Sequence, residues 1–99
     1  MARLLECVVG TGMNDSEYVI KFISTEGEVS AFVSRAKLKL MAPLTAGHEV
    51  PGAVLVELLD EDANKGLVQL PAQLINGSDV VTVSRRLLTY LAGFAHDGW

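Results

Sequence analysis

The amino-acid sequence predicts an α+β domain that is predominantly β, with about six antiparallel strands and one C-terminal helix. Two observations predict this class: short runs rich in Val and Leu are separated by turns containing Gly and Asn, and a pattern of residues occurs twice along the chain. We expect the strands to form two duplicated three-stranded units, packed as a small barrel or sandwich. The 99 residues are expected to form a single domain.

The duplication is inferred from similar segments about one half-chain apart. AFVSRAKL recurs as VTVSRRLL at an offset of fifty residues, and LLE recurs as LVE at an offset of fifty-one. The second apolar run of each half also aligns, with Tyr18 matched to Val68. The alternative is a chance recurrence of VSRxxL in a chain rich in Val and Leu. The candidate repeats span residues 3–41 and 53–94, and residues 42–52, which contain Pro and Gly, form the linker.

The strands are predicted at six apolar runs: RLLECVV, YVIKFIS and VSAFVS in the first half, and AVLVELL, LVQLP and VVTVS in the second. Turns are predicted at GTGMNDSE, TEGE, DEDANKG and NGSD, because Gly, Asn and Asp favour turn geometries. After the third run, RAKLKL alternates basic and apolar residues with the period of a strand. The repeat favours a helix there and the local period favours a strand, so we expect a long third strand that reaches Leu40.

Helical spacing occurs near the C terminus. The segment RRLLTYLAGFA follows Ser84, which can act as an N-cap. We therefore predict a C-terminal helix with its apolar side formed by Leu87, Leu88, Leu91, Phe94 and Ala95.

The net charge of −4 argues against a general polyanion binder, because phosphate contacts dominate such binding.

The cysteine content predicts a cytoplasmic protein. The lone Cys7 lies in an apolar run and suits a buried thiol in a reducing compartment. Neither a signal peptide nor an apolar run long enough for a membrane span is expected.

The apolar content predicts a binding or interaction module. Hydrophobic residues make up 49% of the chain, which is much to bury in a small domain, so we expect a homodimer. The expected partner is a protein or a small apolar ligand held at the seam between the two halves. The aromatic candidates for this seam or for the core are Tyr18, Phe22, Tyr90, Phe94 and Trp99.

The alternative function is a nucleic-acid-binding regulator that uses a basic patch. On one strand, Arg35, Lys37 and Lys39 would lie on the same side about 7 Å apart, and Arg85 and Arg86 would join them if the two VSR segments met. The common use of such residues is to protect a strand edge from aggregation. Nucleic acid is therefore the less expected partner.

Metal and catalytic sites have little support in the sequence. DEDANKG has a calcium-loop spacing from Asp60, but Lys65 replaces the sixth-position glycine and Pro71 replaces the bidentate glutamate. The segment therefore predicts a hairpin tip, and no metal or cofactor is expected. His48 and His96 lie far apart in sequence, and no local set of nucleophile, acid and base is visible. An enzyme is the third function considered.

Overall fold

The computed structural model of the chain describes residues 2–12, 17–45, 47–72 and 77–90. Most of these residues form antiparallel strands of one curled sheet with the shape of a half-barrel. The predominantly β, antiparallel prediction is therefore confirmed. Within the described ranges there is no α-helix, and two short 3-10 turns occupy Arg35–Lys37 and Arg85–Leu87.

In the described part of the chain, the sheet has eight strands. They are β1 (Ala2–Thr11), β2 (Glu17–Ser24), β3 (Gly27–Ser34), β4 (Leu38–Leu40), β5 (Val50–Glu61), β6 (Lys65–Gln69), β7 (Val80–Ser84) and β8 (Leu88–Tyr90). The predicted linker ends earlier than expected, because β5 already begins at Val50.

The longest strands, β1 and β5, pair at the centre of the sheet. The strand order is β3-β2-β1-β5-β6-β7, so each central strand begins one hairpin meander. The two short strands cross to the other half: β4 pairs with β5, and β8 pairs with β1. The outer edge of β1 therefore pairs with β2 along one part and with β8 along another. The outer edge of β5 pairs in the same way with β6 and β4.

The curl of the sheet brings its two halves together at one end. The backbone N–H of Thr25, in the turn after β2, donates a 3.0 Å hydrogen bond to the carbonyl of Thr82 on β7. Because Thr25 and Thr82 belong to opposite halves, this bond holds the sheet in its curled form.

Alternating residues of the strands form one core on the inner side of the sheet. On β1, Leu5, Cys7 and Val9 are buried, whereas Glu6 and Val8 between them are exposed. This is the period of two expected of a half-buried strand. The other core residues on the strands include Ile20, Phe22, Ala31, Val33, Leu38, Val54, Val56, Val68 and Val83.

At the ends of the halves, the structure differs from two sequence predictions. The third strand does not continue to Leu40: it stops at Ser34, a 3-10 turn follows, and β4 is a separate strand on β5. The start of the predicted C-terminal helix is likewise a 3-10 turn followed by β8. Leu91, Phe94 and Ala95 of that helix lie outside the described residues. In both places a strand pairing distant in sequence replaces the locally favoured structure.

The same order of elements, three strands, a 3-10 turn and a short strand, occurs twice. The ladder register relates the two sets. Ala31 lies opposite Ile20, and Val81, fifty residues later, lies opposite Val68. By this register Ile20 corresponds to Val68, forty-eight residues later, whereas the sequence comparison paired Val68 with Tyr18. The difference of two residues leaves the inner and outer sides of the strand unchanged.

Candidate functional site

The predicted basic patch is divided by the fold. Arg35 and Lys37 lie in the first 3-10 turn and not on a strand, and both are exposed. Lys39 is on β4, which pairs with β5, whereas Arg85 precedes β8, which pairs with β1. Since β4 and β8 flank the central pair on opposite sides, they are about three strand spacings, or about 14 Å, apart.

Two of these basic side chains have polar neighbours that fix their position. The guanidinium of Arg35 donates a 2.9 Å hydrogen bond from Nη1 to the carbonyl of Leu38, which closes its own turn. Nε of Arg85 lies 3.1 Å from Oε2 of Glu61, on the β5–β6 hairpin. Arg86 is exposed in the same turn as Arg85. Both contacts serve the local structure around the 3-10 turns.

The predicted aromatic residues are not gathered at one described site. Phe22 is buried in the core, and Tyr18 is partly buried against it. Tyr90 ends β8, paired with Arg3 of β1. Phe94 and Trp99 lie outside the described residues.

The outer side of β1, β2 and β3 carries a group of apolar side chains that sequence reasoning did not select. The exposed fractions are 57% for Ile23, 40% for Val8 and 37% for Phe32. We call the group the outer apolar face. Its residues are Val8, Val19, Ile23 and Phe32, with Pro51 beside Val8 at the start of β5.

The strand register places the residues of the outer apolar face on one side of the sheet around Lys21. Val19 is directly opposite Phe32, and Val8 is opposite both Lys21 on β2 and Pro51 on β5. Side chains directly opposite each other have Cβ atoms about 5 Å apart, and diagonal ones about 7–8 Å. Lys21 therefore stands among the apolar side chains, between Val19 and Ile23 on its own strand.

A signal for this face exists in the sequence. The run YVIKFIS has apolar residues at both parities, so that Val19 and Ile23 alternate with the core residues Ile20 and Phe22. A half-buried strand of an antiparallel sheet normally alternates apolar with polar residues. The outer side of the second half is closer to that norm, since Lys65, Gln69, Thr82 and Ser84 lie there beside Leu67 and Val80.

A cavity of about 270 Å³ adjoins the outer apolar face. Gly10 and Gly47 contribute no side chains to its lining, and Val19 supplies an apolar wall. On its rim, Nζ of Lys21 lies 2.8 Å from Oε2 of Glu49. The hydrogen bond and the charge of Glu49, with a smaller contribution from Glu28, raise the pKa of Lys21, so its ammonium stays charged and paired.

Carboxylates surround the outer apolar face. Glu6 precedes Val8 by two residues on β1, and Glu28 lies opposite Ile23 on β3. Glu17 precedes Val19 by two residues on β2, and Glu49 is at the cavity. The immediate surroundings of the face thus hold four carboxylates and two ammonium groups, that of Lys21, which is paired with Glu49, and that of Lys39, which lies opposite Ala53. This part of the surface is acidic.

A second cavity lies at the seam where the halves meet. Its volume is about 210 Å³, and its lining includes Ser24, Thr25, Val29, Leu67, Val81 and Thr82. Small-molecule sites usually have volumes of about 300–1,000 Å³. The volume of the seam cavity is below this range, although it exceeds the roughly 150 Å³ of a cavity that takes up benzene.

The acidic segment at the β5–β6 hairpin is a structural turn. Oδ1 of Asp62 accepts 2.8 Å hydrogen bonds from the backbone N–H groups of Asn64 and Lys65. The carbonyl of Asn64 in turn accepts a 3.0 Å bond from the N–H of Arg85. Across the described ranges, no group of three or more His, Cys, Asp or Glu residues is arranged to hold a metal ion.

Cys7 lies in the core, and its burial, together with the nearby charge of Glu6, raises the pKa of its thiol to about 12. Such a thiol is a poor nucleophile, because the thiolate is the reactive form.

Neither a protein-family model, nor a curated protein, nor a solved structure matches this chain. Among the residues that can be described, no helix is long and apolar enough to cross a membrane.

Proposed function

We propose that this protein is a small binding module that takes a protein partner on the outer apolar face. The observation that carries the proposal is the exposure of Val8, Ile23 and Phe32 together on one side of one three-stranded unit. Exposed apolar groups scattered singly are normal on a protein surface, whereas a contiguous group bordered by charged residues is typical of an interaction site.

The two halves differ in a way that supports this proposal. Their repeated order of elements supports the predicted duplication, with residues 3–41 and 53–94 as the repeats. In the register of the two units, Val8 and Phe32 on the outer side correspond to Glu57 and Thr82. An apolar outer side is thus not required by the fold of the unit.

The other candidate functions have less support. The predicted nucleic-acid site needed a strand carrying Arg35, Lys37 and Lys39, and a 3-10 turn holds the first two. The predicted small apolar ligand at the seam would have the cavity of about 210 Å³ as its site. The predicted homodimer would be one way of covering the outer apolar face.

The proposal is tested by selecting binders from a displayed library of random peptides with the full chain as bait. The variant Ile23→Thr/Phe32→Thr removes apolar area and keeps residues that favour strands. The matched control is Leu59→Thr, because Leu59 is 48% exposed on β5 but lies outside the face. Melting curves establish that all the proteins are folded.

We expect selected peptides to bind the wild type and the Leu59→Thr control equally, and the face variant at least about tenfold more weakly. Peptides that bind all three proteins with the same affinity would show that the outer apolar face is not the binding surface. A selection that enriches no peptide would contradict the proposal as well.

A further inference from the structure

The size of the outer apolar face bears on the kind of partner that fits it. Three strands about 4.8 Å apart and about eight residues long at about 3.3 Å per residue offer a flat area of about 14 by 26 Å. This is about 360 Å², less than half of the roughly 800 Å² that each partner buries in a standard interface between folded proteins. A single polypeptide segment matches the face better than a second folded domain.

The cavity beside the face offers a place for one large side chain of such a segment. An apolar cavity of about 150 Å³ takes up a benzene molecule. The cavity next to Gly10 has about 270 Å³ and is a hollow open to the outside, so an aromatic side chain would lie in it between Val19 and Glu49. Binding energy at interfaces is concentrated in such aromatic anchors.

The charges around the face favour a basic segment. Glu6, Glu17 and Glu28 lie beside the apolar residues, and Lys21 among them is paired with Glu49. A second copy of this chain would bring the same carboxylates against themselves, which is unfavourable, whereas Lys or Arg side chains would complement them.

Resting on the proposed function, we infer that the partner is a polypeptide segment of another protein with basic and apolar residues, one of them an aromatic anchor. The apolar residues cover Val8, Ile23 and Phe32, and the aromatic side chain enters the cavity over Gly10. The basic side chains lie against Glu6 and Glu28. The charge of the partner gives it orientation and a faster association, and the apolar contacts hold it.

Charge is tested with the peptides selected on the full chain and with a matched pair of variants. Glu6→Gln/Glu28→Gln removes two carboxylates at the face, and Glu26→Gln/Glu57→Gln removes two elsewhere, so both variants have the same net charge. We expect selected peptides to be rich in Lys and Arg and to bind the first variant about tenfold more weakly than the second.

The cavity is tested with Gly10→Val, which introduces a residue suited to a strand and narrows the cavity with a side chain that lies against Glu49. Peptides with an aromatic residue should lose about tenfold in affinity for this variant, and their forms with Ala in place of the aromatic residue should bind both proteins alike. An equal affinity of the aromatic peptides for wild type and Gly10→Val would overturn the anchor.

Other outcomes separate this inference from the proposed function. Peptides that depend on Ile23 and Phe32 but are neutral or acidic would overturn the basic partner and leave the binding face intact. If no peptide depends on Ile23 and Phe32, both fail. Light scattering behind size exclusion tests the second copy: a dimer that Ile23→Thr/Phe32→Thr dissociates would make the occupant this chain itself.

Discussion

Leu5 on β1 and Val54 on β5 are register partners, and both side chains are completely buried. The short strands meet the same two residues, since Leu88 of β8 lies opposite Leu5 and Leu38 of β4 lies opposite Val54. Leu5 and Val54 are therefore equivalent positions in the two halves: each pairs with the other and with a leucine of a short strand. The pair lies at the centre of the sheet, where the two halves meet.

Truncating the side chain of Leu5 or Val54 should destabilise the folded protein. Leu5→Ala is expected to lower the free energy of unfolding by about 3 kcal/mol, because a large side chain is removed from a packed interior. Urea unfolding measures the change. In a cycle with Val54→Ala, the two effects should deviate from additivity by at least about 0.5 kcal/mol, because the residues are in direct register.

The control for the Leu5 and Val54 variants is Leu59→Ala, at a position that is 48% exposed. It should change stability by less than about 0.5 kcal/mol. A loss at Leu5 no larger than the loss at Leu59 would contradict the central position of the pair.

Two glycines on the central strands should respond differently to alanine. A Cβ atom on Gly52 would lie 2.7 Å from the carbonyl oxygen of Lys39 and 3.0 Å from Cγ2 of Val9, so the backbone of β4 or β5 has to move. We expect Gly52→Ala to lower the free energy of unfolding by about 1–3 kcal/mol. On Gly10 the nearest atom would be Cγ of Glu49 at 3.6 Å, an ordinary contact, so Gly10→Ala should be close to neutral. Thermal melts of the two variants compare them directly, and equal melting temperatures would contradict the close approach of β4.

The strands of the meanders could be predicted from sequence because their pattern is local. Apolar runs and turn residues mark β1 to β3 and β5 to β7 without reference to distant parts of the chain. The short strands could not be predicted in this way. RAKLKL contains no glycine or proline to mark the break after Ser34, and its alternation suits a longer strand equally well. What decides the structure there is pairing with β5, more than ten residues away.

The apparent helix near the C terminus has a similar explanation. In the second 3-10 turn, Leu87 packs against the core, and Leu88 does so from the start of β8. Two successive apolar residues at this junction resemble the apolar side of a helix when read in sequence. The outer apolar face was not predicted for another reason. The excess of apolar residues was attributed to assembly from the composition, and composition does not indicate which strand has apolar residues on its outer side.

The buried thiol of Cys7 should be unreactive in the folded protein. Its pKa of about 12 leaves very little thiolate at pH 8, whereas an unfolded cysteine has a pKa near 8.5. Because the pKa of this acid is raised by folding, its contribution to stability is present below the unfolded pKa and is lost as pH rises above it. Labelling with a thiol reagent at pH 8 should be at least about a thousandfold slower in buffer than in denaturant. Similar rates in both conditions would mean that β1 opens readily.

Asp62 should stabilise the β5–β6 hairpin in a pH-dependent way. Backbone hydrogen bonds from Asn64 and Lys65 hold the pKa of its carboxyl below the ordinary value of 3.8. A group whose pKa is lowered by folding contributes stability above its unfolded pKa and loses it as pH falls through the folded pKa. The melting temperature of Asp62→Ala should therefore lie below that of the wild type at pH 7, and the difference should shrink as the pH falls below about 4.

Two variants separate the charge of Asp62 from its geometry. Asp62→Asn keeps a carbonyl oxygen that can accept the same backbone bonds, so it should lose less stability than Asp62→Ala. Neither variant has an ionisable group at residue 62, so the difference in melting temperature between them should change little between pH 2 and 7. Asp60→Ala is the positional control, because the carboxylate of Asp60 accepts a bond only from the adjacent N–H of Glu61 among the hydrogen bonds of the described hairpin. It should remain closer to the wild type at every pH. If Asp60→Ala and Asp62→Ala were equally destabilised, the acidic segment would act through its total charge and not through the turn that Asp62 closes.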